Sequence, residues 1–184
     1  MDTFIRCRLI ALSLFVCVAA GAAEPTTNET LKELKRLDQA ARSSGSGAID
    51  WAKVTTDDAE RRKRVTELLR AGQVKTSDDF FNAALIFQHG DSTDDIRLAY
   101  SLANISSVLN PENKTAKWLS AAAWDRTMMR LNKPQWYGTQ FTKSKESGNW
   151  ALYTIDESAV SDDERISMGV PTLAESRARA INMK

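Results

Sequence analysis

Apolar residues recur at helical spacing through most of the chain. In "TNETLKELKRLDQAAR" (27–42) Leu31, Leu34 and Leu37 form a thin apolar seam, which predicts a short leader helix, and "SSGSG" at 43–47 reads as a flexible joint. The main body begins near Ile49 and Trp51. "TTDDAERRKRVTELLRAG" predicts a helix capped at Thr56 and stopped by Gly72. Asp57–Arg61, Asp58–Arg62 and Glu60–Arg64 are its expected i,i+4 pairs, so its charges read as a solvated face.

"TSDDFFNAALIFQHG" predicts the next helix, capped at Ser77 and closed by Gly90. At 100° per residue its apolar positions cover most of the circumference, so it is expected to be largely buried. Gln88 falls on the buried side, between Phe81 and Ala84. His89 falls beside Asn82 on the narrow polar side.

"STDDIRLAYSLANISSVLNP" shows two apolar faces. Leu98, Leu102, Ile105 and Leu109 lie on one, and Ile96, Ala99, Tyr100 and Ala103 on the other, which predicts a helix sandwiched between neighbours. Pro111 turns the chain into "ENKTAKWLSAAAWDRTMMRLN", where Trp118, Ala122, Asp125 and Met129 share a face. An acid inside that stripe must find a partner, because an unpaired buried charge is very costly.

The pattern then changes. "QWYGTQF" and "NWALYTI", joined by "TKSKESG", have strand composition and predict a hairpin at about 135–155. Alternation would set Trp136, Gly138 and Gln140 on one side of the first strand and Tyr137, Thr139 and Phe141 on the other. "SDDERISMG" predicts a short capped helix, and "PTLAESRARAINMK" a last one with Pro171 and Thr172 at its start.

The first residues bear on compartment. "MDTFIRCRLIALSLFVCVAAGAAEPTT" carries Arg6 and Arg8, then about a dozen apolar residues, then Ala20, Gly21, Ala22 and Ala23, the layout of a secretory signal peptide. The apolar run is too short to span a bilayer comfortably, and the residues before Cys17 do not suit lipidation. The expected division is a signal peptide at 1–23, a leader helix and linker at 24–48, and a helical domain at 49–184. Cleavage would remove both cysteines, Cys7 and Cys17, which excludes a disulfide scaffold, a thiol enzyme and a cysteine metal site. The 25 basic and 24 acidic residues would lose Arg6, Arg8 and Asp2, leaving 23 of each. Such a balance lacks the basic footprint of a nucleic-acid binder. The expected localisation is periplasmic or secreted, with no membrane attachment after cleavage.

Ala99, Ser106, Pro111 and Trp124 resemble part of the tetratricopeptide pattern at one helix junction, although the Gly and early Trp of that signature are not matched. The expected fold is mainly α: a compact tetratricopeptide-like helical stack with one C-terminal β-hairpin. A second resemblance spans residues 50–180. "QHG", "WLSAAAWDR", "QWYGTQ", an Arg and "GVPTL", in that order, resemble a family of bacterial proteins with no established activity. The resemblance implies a shared fold and points to Gln88, His89, Asp125, Arg126, Gln135, Tyr137, Thr139, Gln140 and Arg165.

Two functional expectations follow. The leading one is a non-catalytic module for a protein or peptide partner, with Gln88, Trp136, Tyr137, Gln140 and Trp150 at the ligand. The other is a small hydrolase or transferase without a cofactor. In it His89 is the general base, Asp125 orients it, and Arg126 with Gln140 holds an anionic or carbonyl group. Structural accounts compete: His89 at a helix C-terminus, Asp125 paired with an Arg or with hairpin N–H groups, Gln140 satisfying backbone. "HGDSTDD" lacks the spacing and Gly of a calcium loop, so no metal site is expected. Neither a Ser/His/Asp elbow nor a phosphate loop is present, and no cofactor is expected.

Overall fold

The computed structural model describes residues 25–43 and 48–183. The proposed signal peptide and most of the Ser/Gly joint lie outside the described residues. Within them the chain forms seven helices and two short strands. The helices are α1 (Glu29–Ala41), α2 (Trp51–Arg70), α3 (Ser77–Gln88), α4 (Thr93–Leu109), α5 (Lys114–Arg130), α6 (Asp162–Ser167) and α7 (Leu173–Ile181). The strands are β1 (Phe141–Lys143) and β2 (Trp150–Leu152). None of these helices is long and apolar enough to cross a membrane.

Helices α3, α4 and α5 pack in sequence order, and α1 lies on α3. Alanines make this possible. Ala83, Ala84, Ala99, Ala103 and Ala123 are all buried, so backbones approach closely around the larger Leu31, Val65, Ile86, Ile96, Leu102 and Leu119. Each such large side chain contributes about 1.5–3 kcal/mol on burial. The predicted sandwiching of α4 holds over its first three turns, where Ile96, Ala99, Leu102 and Ala103 are buried. It fails at the end, where Ile105 and Leu109 face solvent.

Capping fixes the helix starts. α2 begins five residues before its expected cap: Asp50 is the N-cap, and Thr55 and Thr56 return their hydroxyls to the Trp51 and Ala52 carbonyls inside the helix. The expected i,i+4 pairs of α2 do not form. Arg61 and Arg64 instead take Asp58 and Glu67 at i,i+3 spacing, and Lys53 takes Asp57. α3 is capped by Thr76 rather than Ser77, in a capping box with Asp79. The buried Asp79 carboxylate also accepts from Asn28 N–H at 2.6 Å and Lys75 N–H at 3.0 Å, which ties the start of α1 to the start of α3. At the α3–α4 corner, any side chain on Gly90 would meet Asp95 Cβ at 2.2 Å, so the capping box of α4 packs where only glycine leaves room.

The hairpin is shorter than its composition suggests. Only Phe141–Lys143 and Trp150–Leu152 pair, antiparallel, with Phe141 opposite Leu152. Residues 136–140 form a folded loop in which Gly138 adopts φ +83°, so the strand alternation expected from Trp136 to Gln140 does not occur. An isolated parallel bridge joins Gln135 to Ile155.

Candidate functional site

The loop owes its shape to Asp125. On α5 this residue is fully buried, and its Oδ1 accepts from the N–H groups of Trp136 (2.8 Å) and Tyr137 (2.9 Å). Oδ2 accepts from Thr139 N–H (2.9 Å) and the Thr139 hydroxyl (2.8 Å). Gln135 closes the loop from inside. Its Nε2 donates to the Gln140 and Tyr153 carbonyls, and its Oε1 accepts from Gln140 N–H. Arg165, on α6, donates to the Trp136 carbonyl and pairs with Asp162. These buried polar groups turn six strand-prone residues into a rigid bracket against α5.

The bracket aims Thr139, Gln140 and Phe141 at a cleft of about 410 Å³, whose other walls are Gln39 of α1, Leu85 and Gln88 of α3, His89, and Trp118, Leu119, Ala122 and Arg126 of α5. Trp118, Ala122 and Arg126 share one stripe of α5 by their four-residue spacing. Ala122 leaves room there, and its carbonyl accepts from Gln140 Nε2 at 3.3 Å. The volume falls at the lower end of the range for small-molecule pockets, about 300–1,000 Å³.

Arg126 is the charged centre of this cleft. Its Nη1 donates to the Gln88 carbonyl at 2.7 Å and its Nε to Gln140 Oε1 at 3.2 Å. Arg130 donates to the Gly90 and Asp91 carbonyls just beyond. Two cations thus meet the carbonyl end of α3, as the helix dipole favours. Yet among the described residues no carboxylate pairs with Arg126, and the cleft wall holds no acid. Burial, with the like charges of Arg130 and Arg42 added, holds its guanidinium below the ordinary value.

His89 faces the cleft from the C-cap of α3. Its Nδ1 lies 3.0 Å from Oδ1 of Asp38, a fully buried acid of α1. Asp38 also accepts from Arg42 (2.9 Å) and Gln39 (2.7 Å). Arg42 continues to Asp58, which Arg61 meets at 2.5 Å. The Asp38 carboxylate can only accept, so the ring donates to it from Nδ1. Nε2 is then the nitrogen left for the cleft. Burial opposes the charge on Asp38, but His89, Gln39 and Arg42 together hold its carboxyl below the usual carboxylate range.

Gln88 is 5 % exposed, and its Oε1 is buried with no hydrogen-bond partner among the described residues. An unsatisfied buried amide costs about 1–3 kcal/mol, so its presence in a pocket wall needs an explanation.

Of the two sets of residues expected from the sequence, Gln88 and Gln140 of the binding set and His89, Arg126 and Gln140 of the catalytic set line one cleft. Asp125 does not join them, because its carboxylate is spent on the loop. Asp38 takes the place beside His89 that Asp125 was expected to hold. The aromatic residues expected at the ligand are elsewhere: Trp136 packs on Trp124 at 4.6 Å, the Tyr137 hydroxyl reaches Glu164 at 3.4 Å, and Trp150 lies 5.7 Å from Lys143 Nζ. Trp118 and Phe141 are the aromatic residues at the cleft. Asp38 was missed, although it falls seven residues after Leu31 and so on the same stripe, the signal that singled out Asp125.

No protein-family model, curated protein or solved structure matches this chain. The geometry alone defines it, as a mainly helical protein with a hairpin-braced polar cleft.

Proposed function

We propose that the chain is a non-catalytic binding module of an exported protein, taking an anionic oxygen of a peptide or small ligand at Arg126. What supports the reading is a guanidinium oriented by two fixed acceptors, without a carboxylate partner, in the wall of a partly apolar cleft. A carboxylate would supply the missing countercharge through a charge-assisted hydrogen bond. Titration of 4-methylpentanoate and 4-methylpentanamide, followed by tryptophan fluorescence from Trp118 at the cleft, tests it. The acid should saturate, the amide should not, and Arg126→Gln should abolish the response while circular dichroism is retained. Absence of saturable binding by the acid overturns the reading.

The Asp38–His89 pair favours one second reading, hydrolysis. Water would give a proton to His89 Nε2 as its oxygen attacks an acyl carbon, and the leaving group would take that proton back. Release of 4-nitrophenol from 4-nitrophenyl acetate, lost in His89→Ala, would select it. Equal rates for the two proteins exclude it.

A further inference from the structure

The binding reading leaves the ligand's class open, and the rest of the cleft wall narrows it. Arg126 answers a carboxylate, with Nη2 free of any partner among the described residues. Beside it, the Gln88 carboxamide forms no hydrogen bond there through its side chain, although the residue is more than nine-tenths buried. Such a group carries a donor and an acceptor in one plane, the complement of a peptide unit. His89 adds its Nε2 to the wall, since Asp38 occupies Nδ1. Gln140 adds no free acceptor: its Oε1 takes Arg126, and its Nε2 goes to Ala122 and Thr139. Leu85, Trp118 and Phe141 supply an apolar wall.

A simple carboxylic acid would satisfy Arg126 and the apolar wall and leave Gln88 unmet. A fully ionised phosphate would bring only acceptors to Gln88, whose buried Oε1 needs a donor. A ligand that meets all three has a carboxylate, an adjacent amide and an apolar side chain on one carbon. Resting on the binding reading, we infer that the cleft recognises an N-acylated α-amino acid with an apolar side chain, the chemistry of the last residue of a peptide. Its carboxylate sits at Arg126 and its amide at Gln88 and His89.

Three probes test this on the intact protein by the same fluorescence titration. N-acetyl-leucine carries every element, 4-methylpentanoate lacks the acylamino group, and N-acetyl-leucinamide lacks the carboxylate. N-acetyl-leucine should bind at least tenfold more tightly than 4-methylpentanoate, with N-acetyl-leucinamide at least tenfold weaker than N-acetyl-leucine. Gln88→Met, close in volume and without the amide, should bring the first ratio within threefold. If the two acids bind equally to the wild type, the inference falls and the binding reading stands. If neither acid binds, both fall. If N-acetyl-leucinamide matches N-acetyl-leucine, the carboxylate is not recognised and both fall again. Should Gln88→Met lose its circular dichroism, Gln88→Glu provides the substitute. Its negative charge beside Arg126 should weaken N-acetyl-leucine at least tenfold, and unchanged affinity would overturn the inference.

Discussion

Asp38 and His89 stand 51 residues apart in the chain and 3.0 Å apart in the fold. Their contact joins the leader helix to the end of α3 and sets which nitrogen of the only histidine is left to the cleft. Removing one partner of a buried charged cluster strands the other. Asp38→Asn should therefore cost roughly 3 kcal/mol, the lower end because Arg42 keeps some contact with solvent. A shift of the urea midpoint measures it, and a change under about 0.5 kcal/mol would show that α1 is not held by this cluster.

Asp125 holds three backbone N–H groups and a hydroxyl. Asp125→Ala orphans all of them, at about 1–3 kcal/mol per buried group. The expected result is a loss of at least about 3 kcal/mol by urea unfolding. The near-ultraviolet dichroism of the Trp124–Trp136 pair should change with it. Ligand binding should fail along with the loop, not separately from it.

Acid should loosen the contact between α1 and α3. Burial opposes the charge on Asp79, but the N–H groups of Asn28, Thr76 and Lys75 and the Thr76 side chain outweigh it, and its carboxyl is held below the usual range. Asp38 is shifted the same way. A depressed folded pKa stabilises above the unfolded value, near 3.9, and that stability is lost as pH falls through the folded pKa. Urea midpoints measured from pH 6 to pH 2 should fall below about pH 4 in the wild type. In Asp79→Asn the midpoint should start lower and fall less. Parallel curves would contradict the assignment.

Tyr137 should titrate late. Burial first, then the charge and hydrogen bond of Glu164, push its phenol up to about 12. Alkaline titration at 295 nm should therefore show one of the three tyrosines ionising well after pH 10. Tyr137→Phe should remove that late step, and Glu164→Gln should bring it to lower pH.

Gly138 sits at φ +83°, with Ile155, Leu173 and Ser176 at 3.5–3.8 Å from where a Cβ would lie. The space is ordinary, so the cost of Gly138→Ala comes from the backbone, about 1–2 kcal/mol. Thermal unfolding should show it, with the affinity for N-acetyl-leucine reduced because Thr139 and Gln140 follow directly.

What was legible in the sequence was local. The 3.6-residue period located the five long helices, because an amphipathic stripe is a property of neighbouring turns. Wheel projection placed Gln88 on a buried side and marked Asp125 as an acid needing a partner, and both are buried. Cap positions erred by small steps at α3 and larger ones at α2, since several Asp and Thr residues compete for each start.

Tertiary structure decided the rest. "QWYGTQ" has the composition of a strand, but propensity is worth tenths of a kcal/mol per residue, and one buried carboxylate with three N–H groups outweighs it. Asp38 could not be matched with His89, nor Arg126 with the Gln88 carbonyl, because pairings between elements depend on how helices dock. The sequence by itself determined the helices and marked Gln88 and Asp125 as buried polar residues, though not Asp38. Packing of α1, α3 and α5 against the loop decided which of those residues hold the fold and which face the cleft, because only that packing fixes which hydrogen-bonding groups are already satisfied.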